Sequence, residues 1–193
     1  MKVLLDTCVL YPTVMREVLL AVAAEGLFEP LWSERILGEW SRAAAKLGLA
    51  GQVQADAEIA MVASHWPKAK VLVPAGLPDR LWLPDSNDVH VLAAAIAGHA
   101  DVIVTINAKD FPRNILAEEG LSRSDPDDFL MGLYASAPEA VARAVSVVHD
   151  EANRLSEDRW DLRRLLKKAR LPRLGKALSA GGADYSQNNR AHL

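Results

Sequence analysis

Four acidic residues stand where the surrounding sequence predicts strand ends or helices. Asp6 directly follows the apolar run MKVLL, a place where an acid usually has a role or a firm partner. Glu39 lies within a stretch of helical periodicity. Asp88 opens an alanine-rich helical stretch, and Asp110 follows the strongly apolar run DVIVTIN. These acids are distant along the chain, yet parallel strands would bring them to one edge of a sheet.

A cluster of carboxylates favours a particular chemistry, because like charges raise one another's pKa and destabilise a fold unless a countercharge is present. Mg²⁺ and Mn²⁺ prefer carboxylate and water oxygens. One or two such ions could be held, and two ions about 3.5–4 Å apart can activate a water and stabilise the leaving oxygen of a phosphodiester. No nucleophilic side chain is then required, and none is evident. The acids therefore indicate metal-assisted hydrolysis of a phosphodiester.

Simpler explanations exist for individual residues. Asp88 could be the N-cap of its helix, and Asp85 could share that capping role. Glu39 alone would be an ordinary surface acid. Cys8 is better explained as a small buried hydrophobe than as a reactive thiol, and His90 and His99 are interpreted as structural. Neighbouring polar side chains that could orient a ligand or a water are Thr7, Asp85, Thr105 and Asn107.

The elements that must position the acids alternate between strand-like and helical patterns. Apolar strand-like runs are MKVLLD, LFEPLW, VLVPAG and DVIVTIN. Helices are predicted after Tyr11-Pro12 with Thr13 as N-cap, after Ser33 as N-cap, over residues 52–66, and from Val89 onward. This alternation predicts a three-layer α/β/α fold with a central parallel sheet. Helices are also predicted over residues 126–149 and over residues 160–169, and Pro172 breaks or ends the second of these stretches.

The charge is unevenly distributed along the chain. Residues 1–120 carry 10 Lys/Arg and 15 Asp/Glu, whereas residues 154–176 carry 9 Lys/Arg and 3 Asp/Glu. We expect a nuclease-like domain at 1–131, a helical C-terminal extension at 132–178 and a disordered tail at 179–193. The hypothesis for the extension is that it contacts phosphates; the alternative is a solvated helix face that packs on the body. The residues concerned are Arg163, Arg164, Lys167, Lys168, Arg170 and Arg173.

The composition excludes several classes of protein. Half of the residues are hydrophobic and 24% are charged, which is typical of a globular protein. No apolar run approaches the roughly 20 residues that span a bilayer, and no signal peptide is evident, so we expect a cytoplasmic protein without a membrane partner. The single cysteine excludes an internal disulfide and a cysteine-rich zinc site.

Four motifs in this order resemble the PIN-domain family over roughly residues 2–131. They are LLDTCVLYP, RILGEW, DSNDVHVLAAAIAGHAD and VTINAKDF. The resemblance implies a Mg²⁺- or Mn²⁺-dependent nuclease on a small parallel sheet. Its VapC-like branch consists of endoribonuclease toxins that a small antitoxin protein holds inactive, so RNA and an antitoxin are the implied partners. A homodimer is left open.

By this resemblance the catalytic residues are Asp6, Glu39, Asp88 and Asp110, of which Asp6, Asp88 and Asp110 bind metal. The fourth position is contested, because some family members carry an aspartate where this chain has Asn107. We favour Asp110. If its side chain points away, a single metal ion becomes the better prediction.

Rival functions are weaker. A haloacid-dehalogenase-type phosphatase needs a second aspartate two residues after the first, where this chain has Cys8. A receiver domain needs an early acidic pair and a late lysine, which are not clear. A structure-specific DNA nuclease usually carries substrate-threading elements that we do not find. The remaining alternative is a catalytically silent PIN scaffold that binds RNA or protein, and calorimetry with Mn²⁺ separates it from the nuclease.

Overall fold

The structure is a computed structural model that describes residues 1–157 and 159–188, with the backbone alone for residues 181–188. The chain divides into two compact units. The first comprises Met1–Tyr11 and Gly26–Asp125, and the second comprises Pro12–Glu25 and Pro126–Leu193. Across the described residues, no helix combines the length and apolarity that a membrane crossing requires.

The first unit is built on a five-stranded sheet in which every neighbouring pair is parallel, with the order β3-β2-β1-β4-β5. At its centre, Val3 pairs with Pro30 on one side and with Val102 on the other. The central strands are buried because both of their faces are apolar. The strands are β1 (Lys2–Leu5), β2 (Glu29–Ser33), β3 (Lys70–Val71), β4 (Val102–Val104) and β5 (Ser122–Ser124).

Helices flank this sheet, which confirms the predicted α/β fold with a central parallel sheet. Both α3 and α5 contact β2, and α5 also contacts β1. Ser33 caps α3 as predicted, because its Oγ accepts a hydrogen bond from the backbone N–H of Ile36 at 3.3 Å. The helices of this unit are α1 (Thr7–Leu10), α3 (Glu34–Ala45), α4 (Leu49–His65), α5 (Val89–Ala97) and α6 (Arg113–Glu118).

Two strands differ from the prediction for local reasons. Strand β3 has two residues, not the six of VLVPAG, because Pro74 cannot donate to a ladder and Gly76 takes a positive φ of 80°. Strand β5 was not predicted. The polar sequence of β5 has no strand pattern, and its pairing with Val102–Val104 of β4 supplies the order that the sequence lacks.

The second unit is helical and contains one helix from early in the chain. Its helices are α2 (Thr13–Ala24), α7 (Pro126–Ser136), α8 (Pro138–Leu155), α9 (Leu162–Lys168) and α10 (Pro172–Asn188). Helix α2 contacts α8, and α10 contacts both α7 and α9. Thus α2 groups with the C-terminal helices although the sequence assigned it to the nuclease domain. The functional boundary at residue 131 stays a prediction.

Two predicted helix signals in this unit are wrong. Thr13 lies inside α2, because Pro12 occupies the N-cap position and makes no side-chain capping bond. Pro172 begins α10, where a missing N–H costs nothing; α9 ends earlier, at a turn in which Arg170 has a positive φ of 61°. The predicted disordered tail coincides with α10 as far as Asn188, and residues 189–193 lie outside the described residues.

Candidate active site

Asp6 lies at the carboxyl end of β1, held by both neighbouring segments. Its backbone N–H donates to the carbonyl of Val104 at 3.2 Å. Its side chain is 4% exposed, and Oδ2 accepts hydrogen bonds from Thr105 Oγ at 2.7 Å and from Cys8 Sγ at 3.1 Å. The other oxygen, Oδ1, accepts no hydrogen bond from the described residues. The buried carboxylate is therefore fixed through one oxygen and keeps the other for a further partner.

Cys8 serves this arrangement as a structural residue, as the sequence predicted. Burial, followed by the charge of Asp6, raises the pKa of the Cys8 thiol to about 12. The backbone N–H of Ile106 donates to Sγ at 3.3 Å. The thiol stays protonated at neutral pH and can donate to Asp6, so it is not a nucleophile.

Glu39 is brought to the same edge by α3 and is held by a hydrogen bond from α1. Thr7 Oγ1 of α1 donates to Glu39 Oε2 at 3.1 Å. Two arginines of α3 lie farther off, with Arg35 Nε at 3.7 Å and Arg42 Nη2 at 3.9 Å from Oε1. The predicted supporting residue Thr7 therefore hydrogen-bonds a carboxylate, that of Glu39.

His90 of α5, interpreted from the sequence as structural, also lies at this site. It is 5% exposed, and its Nε2 lies 2.8 Å from Glu39 Oε1 without hydrogen-bond alignment. Neither ring nitrogen has a hydrogen-bond partner among the described residues. Burial lowers the pKa of His90, opposed by the charge of Glu39. Its position two residues after Asp88 was a signal, because both lie at the start of one helix.

The segment before α5 separates the two aspartates that the sequence left ambiguous. Asp85 Oδ1 accepts a hydrogen bond from the backbone N–H of Asn87 at 2.9 Å and so caps the 3₁₀ turn Ser86–Asp88. The Asp88 side chain makes no capping hydrogen bond. The simple capping explanation therefore applies to Asp85, and Asp88 remains available for another partner.

Asp110 and Asn107 lie in the turn after β4. The backbone N–H of Asn107 donates to Thr105 Oγ1 at 3.0 Å, which links this turn to the hydroxyl that also contacts Asp6. The Asp110 side chain is 16% exposed, and Lys109 Nζ lies 3.9 Å from its Oδ1. The charge of Asp110 acts on Asp88, and the choice of Asp110 over Asn107 for the fourth position stays a prediction.

We call Asp6, Glu39, Asp88 and Asp110 the acid cluster. Burial, followed by repulsion from Asp6 and then from Asp85, Asp110 and Glu39, together raises the pKa of Asp88 to about 6. The charges of the other three acids therefore act on Asp88 at one edge of the sheet. Among the described residues, however, no group of three or more His, Cys, Asp or Glu side chains is arranged so that it could hold a metal ion.

Asparagine at position 88 is expected to stabilise the metal-free protein at pH 7.5. The pKa of Asp88 is about 6 in the folded chain against 3.8 ordinarily, so its unfavourable effect grows as pH rises from about 4 to about 6 and is complete above that range. After allowance for solvent screening, Asp88→Asn should gain about 1 kcal/mol at pH 7.5 and little below about pH 4. Thermal unfolding in EDTA measures this as a rise of about 2–4 °C. Destabilisation at pH 7.5 would contradict the repulsion, and Asp79→Asn, an exposed acid, is the control.

The predicted RNA-binding residues lie in the second unit. Arg163, Arg164, Lys167 and Lys168 occupy exposed positions of α9, and Arg170 follows them in the turn. Arg173 differs, because its guanidinium pairs with Asp128 and its backbone N–H donates to Asp127 at 2.8 Å. Arg173 is therefore explained by packing within this unit.

Comparison with known proteins gives two matches. Residues 2–109, more than half of the chain, match a family model described as PIN domain. A stretch of 57 residues is 47% identical to "Putative ribonuclease VapC50" from Mycobacterium tuberculosis (strain ATCC 25618 / H37Rv). It covers 28% of this chain and 34% of that relative, so the chain spans about a third of the relative's length. No solved structure gives a significant match.

Proposed function

Because this chain belongs to the PIN domain family, we propose that it is a metal-dependent endoribonuclease that hydrolyses RNA phosphodiesters. The observation that carries the proposal is the acid cluster, whose other three carboxylates, together with burial and the neighbouring Asp85, raise the pKa of Asp88 to about 6. The partial relative is itself named a ribonuclease. An acidic site of this kind cannot receive a phosphodiester unless positive charge accompanies the substrate.

The residues fit Mg²⁺ or Mn²⁺ by donor chemistry. The candidate ligands Asp6, Asp88 and Asp110 offer only oxygen atoms, which these ions prefer. Mg²⁺ commonly keeps several waters and binds through one or two carboxylates together with substrate phosphates, so a closed protein cage is not required. When bound, such an ion lowers the pKa of a water and offsets negative charge on the phosphate. One ion or two are both compatible with this set.

The chain's own residues would position the reacting groups. Thr105 and Cys8 hold Asp6 through Oδ2, leaving Oδ1 available. Glu39, oriented by Thr7, is placed to accept the proton of an attacking water. In the proposed reaction, water oxygen attacks phosphorus in line, and the P–O3′ bond breaks. The products are a 5′-phosphate and a 3′-hydroxyl, whose proton comes from solvent.

We further propose that the protein acts in the cytoplasm as the toxin of a toxin–antitoxin pair. The support is family likeness and the name of the partial relative. A small antitoxin would block the acid cluster, for which an inserted arginine is suited because a guanidinium pairs well with carboxylates. Homodimer formation stays a prediction.

Metal removal tests the proposed function. Purified protein is expected to cut single-stranded RNA in Mg²⁺ or Mn²⁺, to stop when EDTA is added, and to resume when the ion is restored in excess. Gel analysis with end-labelled RNA also reports which product carries the phosphate. Equal cutting with and without EDTA would contradict metal dependence, and no cutting under any condition would favour the silent scaffold.

A further inference from the structure

We propose that the exposed face of α9, together with Trp160 and Arg170, binds the phosphates of single-stranded RNA. This inference rests on the proposed function, which supplies the substrate class, but concerns a surface in the second unit. We call it the α9 surface. Its members are Trp160, Arg163, Arg164, Lys167, Lys168 and Arg170.

Packing explains only one face of α9. Leu165 and Leu166 are buried at 4% and 0% exposure, and they hold the helix against its unit. The exposed face instead carries two pairs of like charges four residues apart, Arg163 with Lys167 and Arg164 with Lys168. Such pairs destabilise a helix by mutual repulsion. A solvated face without a function would be more stable with acids interleaved.

Three carboxylates of this unit have partners other than the side-chain cations of the α9 surface. Asp161 caps α9 by accepting from the backbone N–H of Arg164 at 2.9 Å. Glu151 accepts from Arg154 Nε at 2.7 Å, and Asp128 pairs with Arg173. Over the described part of the chain, none of the five cations of the α9 surface forms an ion pair. Their charge therefore remains available to an external anion.

Trp160 is fixed beside these cations by helix α8. Asn153 Oδ1 accepts from the Trp160 backbone N–H at 2.6 Å, and His149 Nε2 lies 2.7 Å from the Trp160 carbonyl oxygen. Over the indole ring, Lys168 Nζ is 4.7 Å and Arg164 Cζ is 5.9 Å from the centroid. Cation–π contact restricts these side chains without using their hydrogen-bond donors. Trp160 is thus a positioning residue for two cations.

Arg170 adds a cation at a strained backbone position. Its φ is 61°, in the turn after α9, where glycine is favoured because side chains destabilise the left-handed conformation. The side chain is exposed. Glycine would suit the turn better, so the arginine is explained by its charge and not by the local fold.

The pattern favours a nucleic-acid backbone over an acidic protein. The cations form rows about 5–6 Å apart along one helix face, which suits the regularly repeated charge of a polynucleotide. The indole already contacts two cations, so the surface is arranged for phosphates and not for stacking on bases. Phosphate contacts carry no sequence information, so we expect little dependence on base sequence.

Binding of a fluorescent 20-nucleotide oligo-U by the full-length chain tests the inference. All proteins carry Asp6→Asn and are kept in EDTA, so that cleavage does not interfere. Lys167→Gln/Lys168→Gln should weaken binding about tenfold near 0.1 M salt. It should also flatten the slope of log K against log salt by about 1.4, which is about 0.7 for each lost phosphate contact. Lys46→Gln/Lys68→Gln removes the same charges from exposed positions of the first unit and should do neither.

The Trp160→Ala variant tests whether Trp160 positions Arg164 and Lys168, because it leaves the charge of the α9 surface unchanged. Because every cation remains, affinity should fall severalfold while the salt slope stays near that of the parent, and Trp160→Phe should recover most of the affinity. Circular dichroism establishes that each variant is folded.

Equal affinity of the two double-lysine variants would overturn the inference even if the wild-type protein cleaves RNA. Loss of binding only at positions 167 and 168 would support it even if no cleavage is found. Tighter binding of a polyglutamate peptide than of oligo-U would assign the surface to an acidic protein and would also overturn it.

Discussion

Replacing Asp6 with asparagine is expected to reduce RNA cleavage on the order of a thousandfold. Asparagine keeps the size of the side chain and can still accept hydrogen bonds from Thr105 and Cys8. It removes the negative charge at the most buried position of the acid cluster, where Asp6 is 4% exposed. Loss of one fixed electrostatic contribution at an active site commonly costs 10²–10³-fold or more in rate, and a lost cation would add to this.

The measurement is the initial rate of cleavage of one RNA at saturating Mg²⁺. Asp79→Asn is the matched control, because Asp79 is an exposed acid of the same unit, and it should keep wild-type activity. We expect Asp6→Asn to remain folded and to be no less stable without metal, because one repelling charge is gone. More than a tenth of wild-type activity in a verified Asp6→Asn preparation would remove Asp6 from the site.

Replacing Trp40 with alanine is expected to destabilise the first unit by about 3–5 kcal/mol, the usual cost of truncating a large buried aromatic residue. Trp40 is 1% exposed and follows Glu39 on α3, whose other buried residues include Ile36 and Leu37. The cavity would loosen the helix that brings Glu39 to Thr7. Activity should therefore fall along with stability.

Chemical denaturation followed by circular dichroism measures this effect. Trp82→Ala is the control, since Trp82 is 67% exposed and its loss should change the free energy of unfolding by less than about 1 kcal/mol. If Trp40→Ala unfolds like the wild type, α3 is not anchored as described.

The sequence predicts where an acid lies in the fold when the hydrophobic pattern around it and the chemistry of its side chain point to the same place. An acid directly after the apolar run of β1 is costly without a role, so Asp6 was identifiable from its neighbours alone. The parallel sheet followed from alternating patterns, and the capping role of Ser33 followed from residue type. Family membership, confirmed by the match over residues 2–109, drew attention to Glu39, which on its helix alone resembles a surface residue.

The remainder depends on contacts between distant segments, which local patterns do not encode. Thr7 contacts Glu39 across 32 positions, and His90 approaches the same carboxylate from α5. Asp85 and Asp88 have the same side-chain chemistry and adjacent turns, and only the hydrogen bond to Asn87 shows which one caps. The grouping of α2 with the C-terminal helices likewise arises from packing.

Calorimetric titration of Mn²⁺ into the purified, metal-free protein tests the central proposal most directly. We expect saturable binding at one or two sites, at least about tenfold weaker in both Asp6→Asn and Asp88→Asn, and unchanged in Asp79→Asn. Two results would show that the carboxylates gathered around Asp88 do not hold a divalent ion. One is a wild-type titration that shows no binding, and the other is binding by Asp6→Asn and Asp88→Asn that equals that of the wild type.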